Sequence, residues 1–180
     1  MTDPRPAMPA QPAQSVAEHR AAAPDSVGVA ILTISDTRTR ETDTSGAIIR
    51  EMLNLTGHTI VDYRIVPDEP ERIRETLAAW TDSPAIQAIL TNGGTGIASR
   101  DTTYDVVAGL LEKRLDGFGE LFRMLSYQEI GAAAMLSRAV AGVYKGRLVL
   151  TMPGSRNAVQ LAMSKLIAPE LAHLVFEVTK

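Results

Sequence analysis

Three apolar runs alternate with three helical patterns between residues 27 and 114 of this 180-residue chain. The first run, residues 27–35, is almost continuously apolar, as is typical of a central strand that is covered on both faces. The second helical pattern carries Ile73, Leu77 and Trp80 at intervals of four and three residues, which predicts one buried helix face. Strands and helices that alternate over so short a length indicate parallel strands joined by right-handed crossovers.

Two later apolar runs predict a β-hairpin. Residues 140–144 and 147–152 flank the turn-forming dipeptide Lys145-Gly146. The hairpin adds one antiparallel strand to an otherwise parallel sheet. We therefore predict an α/β fold with a mostly parallel sheet, in which ligands bind beyond the carboxyl ends of the strands.

The N-terminal segment differs in composition from the rest of the chain. Residues 1–25 are rich in Ala, Pro and Gln and poor in large apolar side chains. Such a segment buries too little surface to offset the entropy of ordering it. We therefore predict a disordered tail followed by one domain over residues 26–180.

Charge and residue usage narrow the classes of function. The net charge of −3 comes from mixed acidic and basic residues, which gives no electrostatic footprint for nucleic acid or an anionic membrane. The absence of cysteine excludes disulfides and thiolate metal sites and favours a cytoplasmic protein. His19, His58 and His173 show no spacing typical of a zinc site. No apolar run is expected to span a membrane.

A glycine-rich loop follows the third predicted strand. Asn92-Gly93-Gly94-Thr95-Gly96 places three glycines among small polar residues, before a helix predicted from Thr103. Glycines let the backbone approach a ligand closely, and exposed amides with a helix dipole attract an anion. The spacing matches neither the dinucleotide fingerprint nor the P-loop. A strand-to-helix turn that requires glycine is the structural alternative.

The predicted sheet brings three loops together at the carboxyl ends of its strands: Ser35-Asp36, Asp68-Glu69 and residues 93–101. Two of these loops carry candidate aspartates. Asp101 follows the glycine loop, and Asp68 follows the second strand. A carboxylate beside bound phosphate is repelled unless a metal bridges them, so Asp101 is a candidate Mg²⁺ ligand. The structural alternatives are a helix N-cap for Asp101 and a capping box of Asp68 with Glu71.

Further residues at this edge suit a phosphate ester. The turn Pro153-Gly154-Ser155 follows the last strand, and four arginines could neutralise phosphates: Arg38, Arg40, Arg100 and Arg123. This inventory favours a nucleotide or another phosphate ester with Mg²⁺, where catalysis is mostly positioning and charge stabilisation. We see no Ser/His/Asp set for acyl transfer.

Several short motifs occur together in this order: Asp43-Thr44-Ser45-Gly46, Thr91-Asn92-Gly93-Gly94-Thr95-Gly96 with Arg100-Asp101, Gly117-Phe118-Gly119-Glu120, Phe122-Arg123-Met124-Leu125-Ser126, Leu136-Ser137-Arg138-Ala139-Val140-Ala141-Gly142 and Met152-Pro153-Gly154-Ser155. They resemble the MoaB/MogA family of molybdenum cofactor biosynthesis proteins over residues 27–175, and residues 118–142 look more like the MoaB branch.

The resemblance implies a three-layer α/β/α fold and a homo-oligomer, either a trimer or a hexamer. It also implies a molybdopterin adenylyltransferase, in which the terminal phosphate of molybdopterin attacks the α-phosphorus of ATP with Mg²⁺. The products are adenylyl-molybdopterin and pyrophosphate, and a downstream molybdate-insertion protein takes the adenylate. The alternative is a catalytically inactive molybdopterin-binding or scaffolding homologue. A third reading is a related domain acting on another nucleotide, as in the competence-damage family.

The resemblance also implies which residues form the site, because the family's motif positions match residues of this chain. Asp68 and Asp101 match the family's catalytic and metal-binding aspartates. The regions that hold the nucleotide and the pterin phosphate match Gly93, Gly94, Thr95, Gly96, Pro153, Gly154 and Ser155, and a pterin-site serine matches Ser137. After Asp101 the family usually reads Val-Thr-Pro-Glu, whereas this chain reads Thr102-Thr103-Tyr104-Asp105.

Overall fold

The computed structural model describes residues 14–180. The strands are β1 Gly28–Ile34, β2 Thr59–Val66, β3 Ala88–Asn92, β4 Lys113–Arg114, β5 Val140–Tyr144 and β6 Arg147–Met152. The α-helices are α1 Gln14–Ala22, α2 Thr44–Leu55, α3 Pro70–Thr81, α4 Thr103–Leu110, α5 Asp116–Ile130, α6 Arg156–Ala162 and α7 Ala168–Thr179. A 3₁₀ segment, Gly131–Leu136, follows α5, and a π-helical segment, Met163–Ile167, joins α6 to α7.

One six-stranded sheet forms in the order β2-β1-β3-β6-β5-β4. Strands β2, β1, β3 and β6 are parallel, whereas β5 is antiparallel to both of its neighbours. The predicted hairpin and its single antiparallel strand are therefore confirmed. The sequence pattern predicts a helix from Thr103 to about Arg114, but α4 ends at Leu110, and the last two residues of that pattern form the short edge strand β4.

Helices cover both faces of the sheet and give the expected three layers. On one face α2, α5 and the helices from Arg156 to Thr179 bury Ile49, Phe122 and Leu171 among others. On the other face α3 and α4 pack Trp80 and Val107 onto the sheet. Strand β1 supplies side chains to both cores, as its continuous apolar run predicts.

The buried face of α2 differs from the expected one. The sequence pattern of Ile48, Met52 and Leu55 predicts that these residues face inward. Leu55 is instead 79% exposed, while Ile49 and Leu53 are fully buried. The helix is therefore rotated by about one residue, and Ile48 and Met52 lie at the margin of the core.

The predicted disorder of residues 1–25 is wrong for part of that segment. Residues 1–13 lie outside the described part of the chain, but Gln14–Ala22 forms α1, which packs on α7. The Arg20 guanidinium pairs with the Glu170 carboxylate, and His19 Nδ1 lies 2.9 Å from Glu177 Oε1. Polar contacts to α7 hold this helix in place, and a prediction based on apolar burial does not include them.

Proline often ends a helix, so the sequence predicts a change of chain direction at Pro169, but the helices from Arg156 to Thr179 run on as one stretch. Pro169 lies in the first turn of α7, where its missing N–H is tolerated. By length and by a mean hydropathy of 1.2 this stretch could cross a membrane. Its apolar character has another cause, because a row of its side chains is buried in the core: Val159, Met163, Ile167, Leu171 and Val175.

Candidate active site

The loops after β1, β2 and β3 meet at the carboxyl edge of the sheet, as predicted. The Asp68 backbone N–H donates to Asp36 Oδ1 at 3.1 Å. Arg100 donates from Nη2 and Nε to Asp36 Oδ2 at 2.9 and 3.1 Å. The Arg100 hydrogen bond, followed by that from the Asp68 backbone, lowers the pKa of Asp36. Asp36 therefore stays ionised and ties the three loops together.

The glycine loop needs its glycines. Gly93 and Gly94 have φ values of +98° and +60°. A Cβ on Gly93 would lie 2.2 Å from the Ile34 carbonyl oxygen, and one on Gly94 would lie 2.3 Å from Asp68 Oδ2. The loop backbone thus passes directly over a catalytic candidate, and any side chain on Gly94 would displace that carboxylate.

Asp68 is buried and held by the loop that follows Asp101. Its Oδ1 accepts the Thr102 hydroxyl at 2.7 Å and the Thr102 N–H at 3.2 Å. The Thr103 hydroxyl lies 3.4 Å from the same oxygen. Glu69 occupies the N-cap of α3, so the capping box of Asp68 with Glu71 is wrong.

Asp101 is half-buried beside the end of the glycine loop. Its Oδ2 accepts the Ala98 N–H at 3.2 Å and lies 2.4 Å from the position of a Cβ on Gly96. Thr102, not Asp101, occupies the N-cap of α4, so the helix-capping alternative is also wrong. Asp68 and Asp101 therefore flank the glycine loop, the first at Gly94 and the second at Gly96.

Arg138 fixes the outer half of this loop, a role that the sequence analysis missed. Its Nε donates to the Thr95 carbonyl at 2.9 Å and its Nη2 donates to the Gly96 carbonyl at 2.6 Å. The same guanidinium pairs with Asp105 at 3.1 Å and stacks 4.5 Å from the Tyr104 ring centroid. Its only sequence signal is its place in the motif that contains Ser137.

The residues that depart from the family pattern contact both sides of the site. Thr102 bonds Asp68, while Tyr104 and Asp105 both contact Arg138. The first set of contacts orients Asp68, and the second holds Arg138, which bonds the glycine loop.

The turn after β6 packs against the glycine loop. A Cβ on Gly154 would lie 2.9 Å from Gly93 Cα, and the Gly154 carbonyl accepts the Ser45 hydroxyl at 2.8 Å. Ser155 caps α6 by accepting the Ala158 N–H at 3.3 Å. Thus Pro153-Gly154-Ser155 has a structural role and also borders the site.

A cavity of about 560 Å³ opens on this side of the loop. Half-buried Ser137, the predicted pterin-site residue, lines it together with Pro153 and Ser155, which were predicted to lie where the nucleotide and the pterin phosphate bind. Apolar side chains, among them Ile130, Leu136 and Leu161, form part of the wall, and the polar side chains of Glu129, Arg156 and Asn157 form another part. A cavity with a partly apolar wall and a few hydroxyls suits a planar heterocycle that carries a phosphate.

A larger cleft of about 770 Å³ lies on the other side, along the free edge of β2. Asp36 joins it to the meeting point of the loops, and four arginines line it: Arg38, Arg40, Arg64 and Arg72. Arg40 donates to the Tyr63 carbonyl at 2.8 Å and stacks 5.1 Å from the Tyr63 ring centroid. Arg123 instead lies by Tyr104 and Gly119, away from this cleft.

A buried polar cluster supports the strands behind the loop. Asp43 Oδ2 accepts the hydroxyls of Thr33 and Tyr63 at 2.5 and 2.6 Å, and Oδ1 accepts the Gly46 N–H at 2.8 Å. Asn92 Nδ2 donates to the Thr33 hydroxyl at 2.9 Å. Burial and the Asp43 carboxylate raise the pKa of Tyr63 to about 12. The cluster thereby links the start of α2 to the residue before the glycines.

Comparison with known proteins identifies a matching family model and similar relatives. Residues 30–173 match the family model described as a probable molybdopterin binding domain. Molybdenum cofactor biosynthesis protein B of Halalkalibacterium halodurans is 54% identical over 167 residues, covering 92% of this chain and 98% of that protein.

Solved structures agree with this match. A crystal structure of a molybdenum cofactor biosynthesis protein B is 52% identical with a TM-score of 0.84, covering 87% of this chain and 98% of that one. The tungsten cofactor synthesizing protein MoaB of Pyrococcus furiosus is 35% identical with a TM-score of 0.79, covering 88% and 100% of the two chains. The chain therefore belongs to the molybdopterin-binding family of molybdenum cofactor biosynthesis and groups with its MoaB members.

Proposed function

We propose that the protein is a molybdopterin adenylyltransferase that uses Mg-ATP. The observation that carries this proposal is the pair of carboxylates, Asp68 and Asp101, on either side of the glycine loop. An adenylyl transfer brings the negatively charged terminal phosphate of molybdopterin next to the phosphates of ATP. Loop amides, arginines and a metal between carboxylate and phosphate are the groups that stabilise such charge.

The donor set of the two aspartates fits Mg²⁺, which prefers carboxylate oxygens and keeps several waters. Asp101 Oδ2 accepts a single backbone N–H in the described structure, so it has capacity for a cation. Asp68 is oriented by Thr102 and Thr103, which makes it a rigid ligand. When bound, the ion would neutralise charge that develops on the phosphate oxygens.

The transfer forms one bond and breaks one bond. A terminal phosphate oxygen of molybdopterin attacks the α-phosphorus of ATP, and the bond from that phosphorus to the bridging oxygen of the β-phosphate breaks to release pyrophosphate. The attacking oxygen is already ionised near neutral pH, so this chain needs no general base. Its residues position the reactants in line and hold the glycine loop still, Arg138 by bonding the loop carbonyls.

The two cavities suggest where each substrate lies. We assign the pterin to the cavity lined by Ser137, Pro153 and Ser155, and the nucleotide phosphates to the side that carries Arg38 and Arg40. The first cavity reaches the carboxyl edge of the sheet at Pro153 and the second reaches it at Asp36, so both open near the two aspartates without being lined by them. Glutamine in place of Arg40 should weaken ATP binding several-fold and leave molybdopterin binding unchanged, as measured by calorimetry.

The second candidate function is a molybdopterin-binding homologue without catalysis. The altered sequence after Asp101 favours it, because Tyr104 replaces the usual helix-initiating proline. The contacts of Thr102, Tyr104 and Asp105 favour the catalytic function, because they orient Asp68 and Arg138, which the proposed reaction requires. Calorimetry with molybdopterin, followed by a pyrophosphate assay with Mg-ATP, separates the two: binding without release supports the second candidate.

We further propose that the protein works in the cytoplasm as a homo-oligomer, trimer or hexamer, and passes its product to a molybdate-insertion protein. The sequence also suggests an oligomer through its apolar C-terminal segment, residues 171–178, but Leu171 and Val175 of that segment are buried in the core and cannot contact another copy. The exposed apolar side chains of α5 and the 3₁₀ segment that lie outside the proposed pterin cavity do support self-association: Leu121, Met124, Tyr127 and Met135. A monomeric mass by light scattering would overturn this part of the proposal.

A further inference from the structure

Helices α1 and α7 bring together three side chains that can ligate a metal. They are His19 of α1 and His173 and Glu177 of α7, whose ligand atoms all lie within 4.8 Å of one another. His173 and Glu177 are four residues apart and therefore project from the same face of α7. The sequence shows no zinc spacing because His19 is contributed by a different helix.

The distances suit a tetrahedral ion. His19 Nδ1 lies 2.9 Å from Glu177 Oε1, and His173 Nε2 lies 3.9 Å from the same oxygen. Ligand atoms around zinc, with bonds of about 2.0–2.1 Å, are about 3.4 Å apart. Small side-chain rotations would thus place all three atoms around one ion, with a fourth position left for water.

A neighbouring carboxylate prepares one of the ligands. His173 Nδ1 lies 2.9 Å from Glu170 Oε2, an arrangement that favours the proton on Nδ1 and leaves the Nε2 lone pair free. Metal-binding histidines commonly have such a carboxylate on the other ring nitrogen. Arg20 pairs with the same carboxylate of Glu170. Lys180 Nζ lies 2.9 Å from Glu177 Oε2 and 3.0 Å from Glu177 Oε1. Because Oε1 is the oxygen that faces the histidines, it would lose its contact with the Lys180 ammonium when it binds the ion.

We infer that His19, His173 and Glu177 form a binding site for a zinc-type divalent ion that fastens the N-terminal helix to the C-terminal one. Two imidazoles and one carboxylate favour zinc and related transition metals over magnesium. The site does not depend on the proposed adenylyl transfer, because it uses other residues and another class of metal.

Calorimetry on the full chain, freed of metal with a chelator and titrated with ZnCl₂, tests the inference. We expect one ion per chain, with affinity at least about tenfold weaker in His19→Ala or His173→Ala and about 10–100-fold weaker in Glu170→Gln. Glu51→Gln, which changes an exposed carboxylate on α2, is the matched control and should bind as the wild type does.

A second readout reports on the helix itself. Trypsin cleavage after Arg20, followed by mass spectrometry, should slow several-fold when zinc is added to the wild type and should not respond in His19→Ala. Excess MgCl₂ should neither displace zinc nor slow cleavage. Absence of zinc binding by the wild type, or equal affinity in the His19→Ala/His173→Ala double variant, would overturn the inference.

Discussion

The Thr102 hydroxyl donates to Asp68 Oδ1 at 2.7 Å, and it does so from a position where the MoaB/MogA pattern usually has valine. The loop that follows one proposed metal-binding aspartate therefore orients the other. Backbone amide and hydroxyl of the same residue reach the same carboxylate, which fixes Asp68 relative to Asp101.

Thr102→Val tests how much this hydroxyl contributes. A hydrogen bond to a charged group contributes about 1.5–3 kcal/mol, but the backbone N–H of residue 102 remains, so we expect the free energy of unfolding to fall by about 1–2 kcal/mol. Urea denaturation measures the change. Thr37→Val, at an exposed position, is the matched control, and equal stability of the two variants would mean that the hydroxyl contributes nothing to Asp68.

Gly94→Ala should damage both stability and activity. The added Cβ would lie 2.1 Å from Thr103 Oγ1 and 2.3 Å from Asp68 Oδ2, and φ at this residue is +60°. We expect a loss of more than about 1 kcal/mol in unfolding free energy and a fall in turnover.

Gly109→Ala is the control for that substitution. It lies in α4 with nothing within 4 Å of the new Cβ, so it should raise the unfolding free energy by up to about 1 kcal/mol. If Gly94→Ala had the same unfolding free energy as Gly109→Ala, the glycine loop would not approach Asp68 as closely as the structure shows.

Arg138→Lys should reduce turnover more than it reduces stability. Lysine keeps the charge but loses the planar fork that reaches the Thr95 and Gly96 carbonyls together with Asp105. We expect kcat to fall at least about tenfold, because the glycine loop would no longer be held in one geometry. Steady-state kinetics test this, with Arg74→Lys on the exposed side of α3 as the control. An unchanged kcat in Arg138→Lys would mean that Arg138 does not support the active site.

Raising the pH should destabilise the protein through Tyr63. Its pKa is raised to about 12, mainly by burial and then by Asp43, above the unfolded value of about 10. A raised pKa in the folded state gives stability that is present below about pH 10 and lost as the pH rises toward 12. Between pH 10 and 12 the midpoint temperature of thermal unfolding should fall more steeply for the wild type than for Tyr63→Phe. The same pH dependence in both proteins would contradict the role assigned to Tyr63.

The sheet was predictable because its apolar runs report burial directly. Strand β1 packs on both faces, so its continuous run indicated a central strand, and Ile73, Leu77 and Trp80 marked the buried face of α3. The face of α2 was less predictable, since Ile48, Ile49, Met52 and Leu53 offer overlapping helical patterns and only the packing selects among them.

Much of the site was predictable from loops that end parallel strands, because topology brings Asp36, Asp68 and the glycine loop together. The partners of each carboxylate were not. Asp68 and Asp101 each had a reasonable local capping alternative, and both alternatives were wrong. A long-range hydrogen bond from Thr102 holds the Asp68 carboxylate, whereas Asp101 Oδ2 turns back to accept the N–H of Ala98, three residues earlier. Arg138 was missed since its contacts to Thr95 and Gly96 cross more than forty residues of sequence.

Pyrophosphate release from molybdopterin and Mg-ATP by the purified protein, with Asp101→Asn and Asp82→Asn run alongside, tests the adenylyltransferase most directly. Asp82 is exposed at the C-terminal end of α3, so its variant controls for the loss of a surface carboxylate. We predict release by the wild type and Asp82→Asn, and a loss of at least about a hundredfold in Asp101→Asn with molybdopterin binding retained. Absence of release by the wild type, or equal rates in all three proteins, would contradict the proposal.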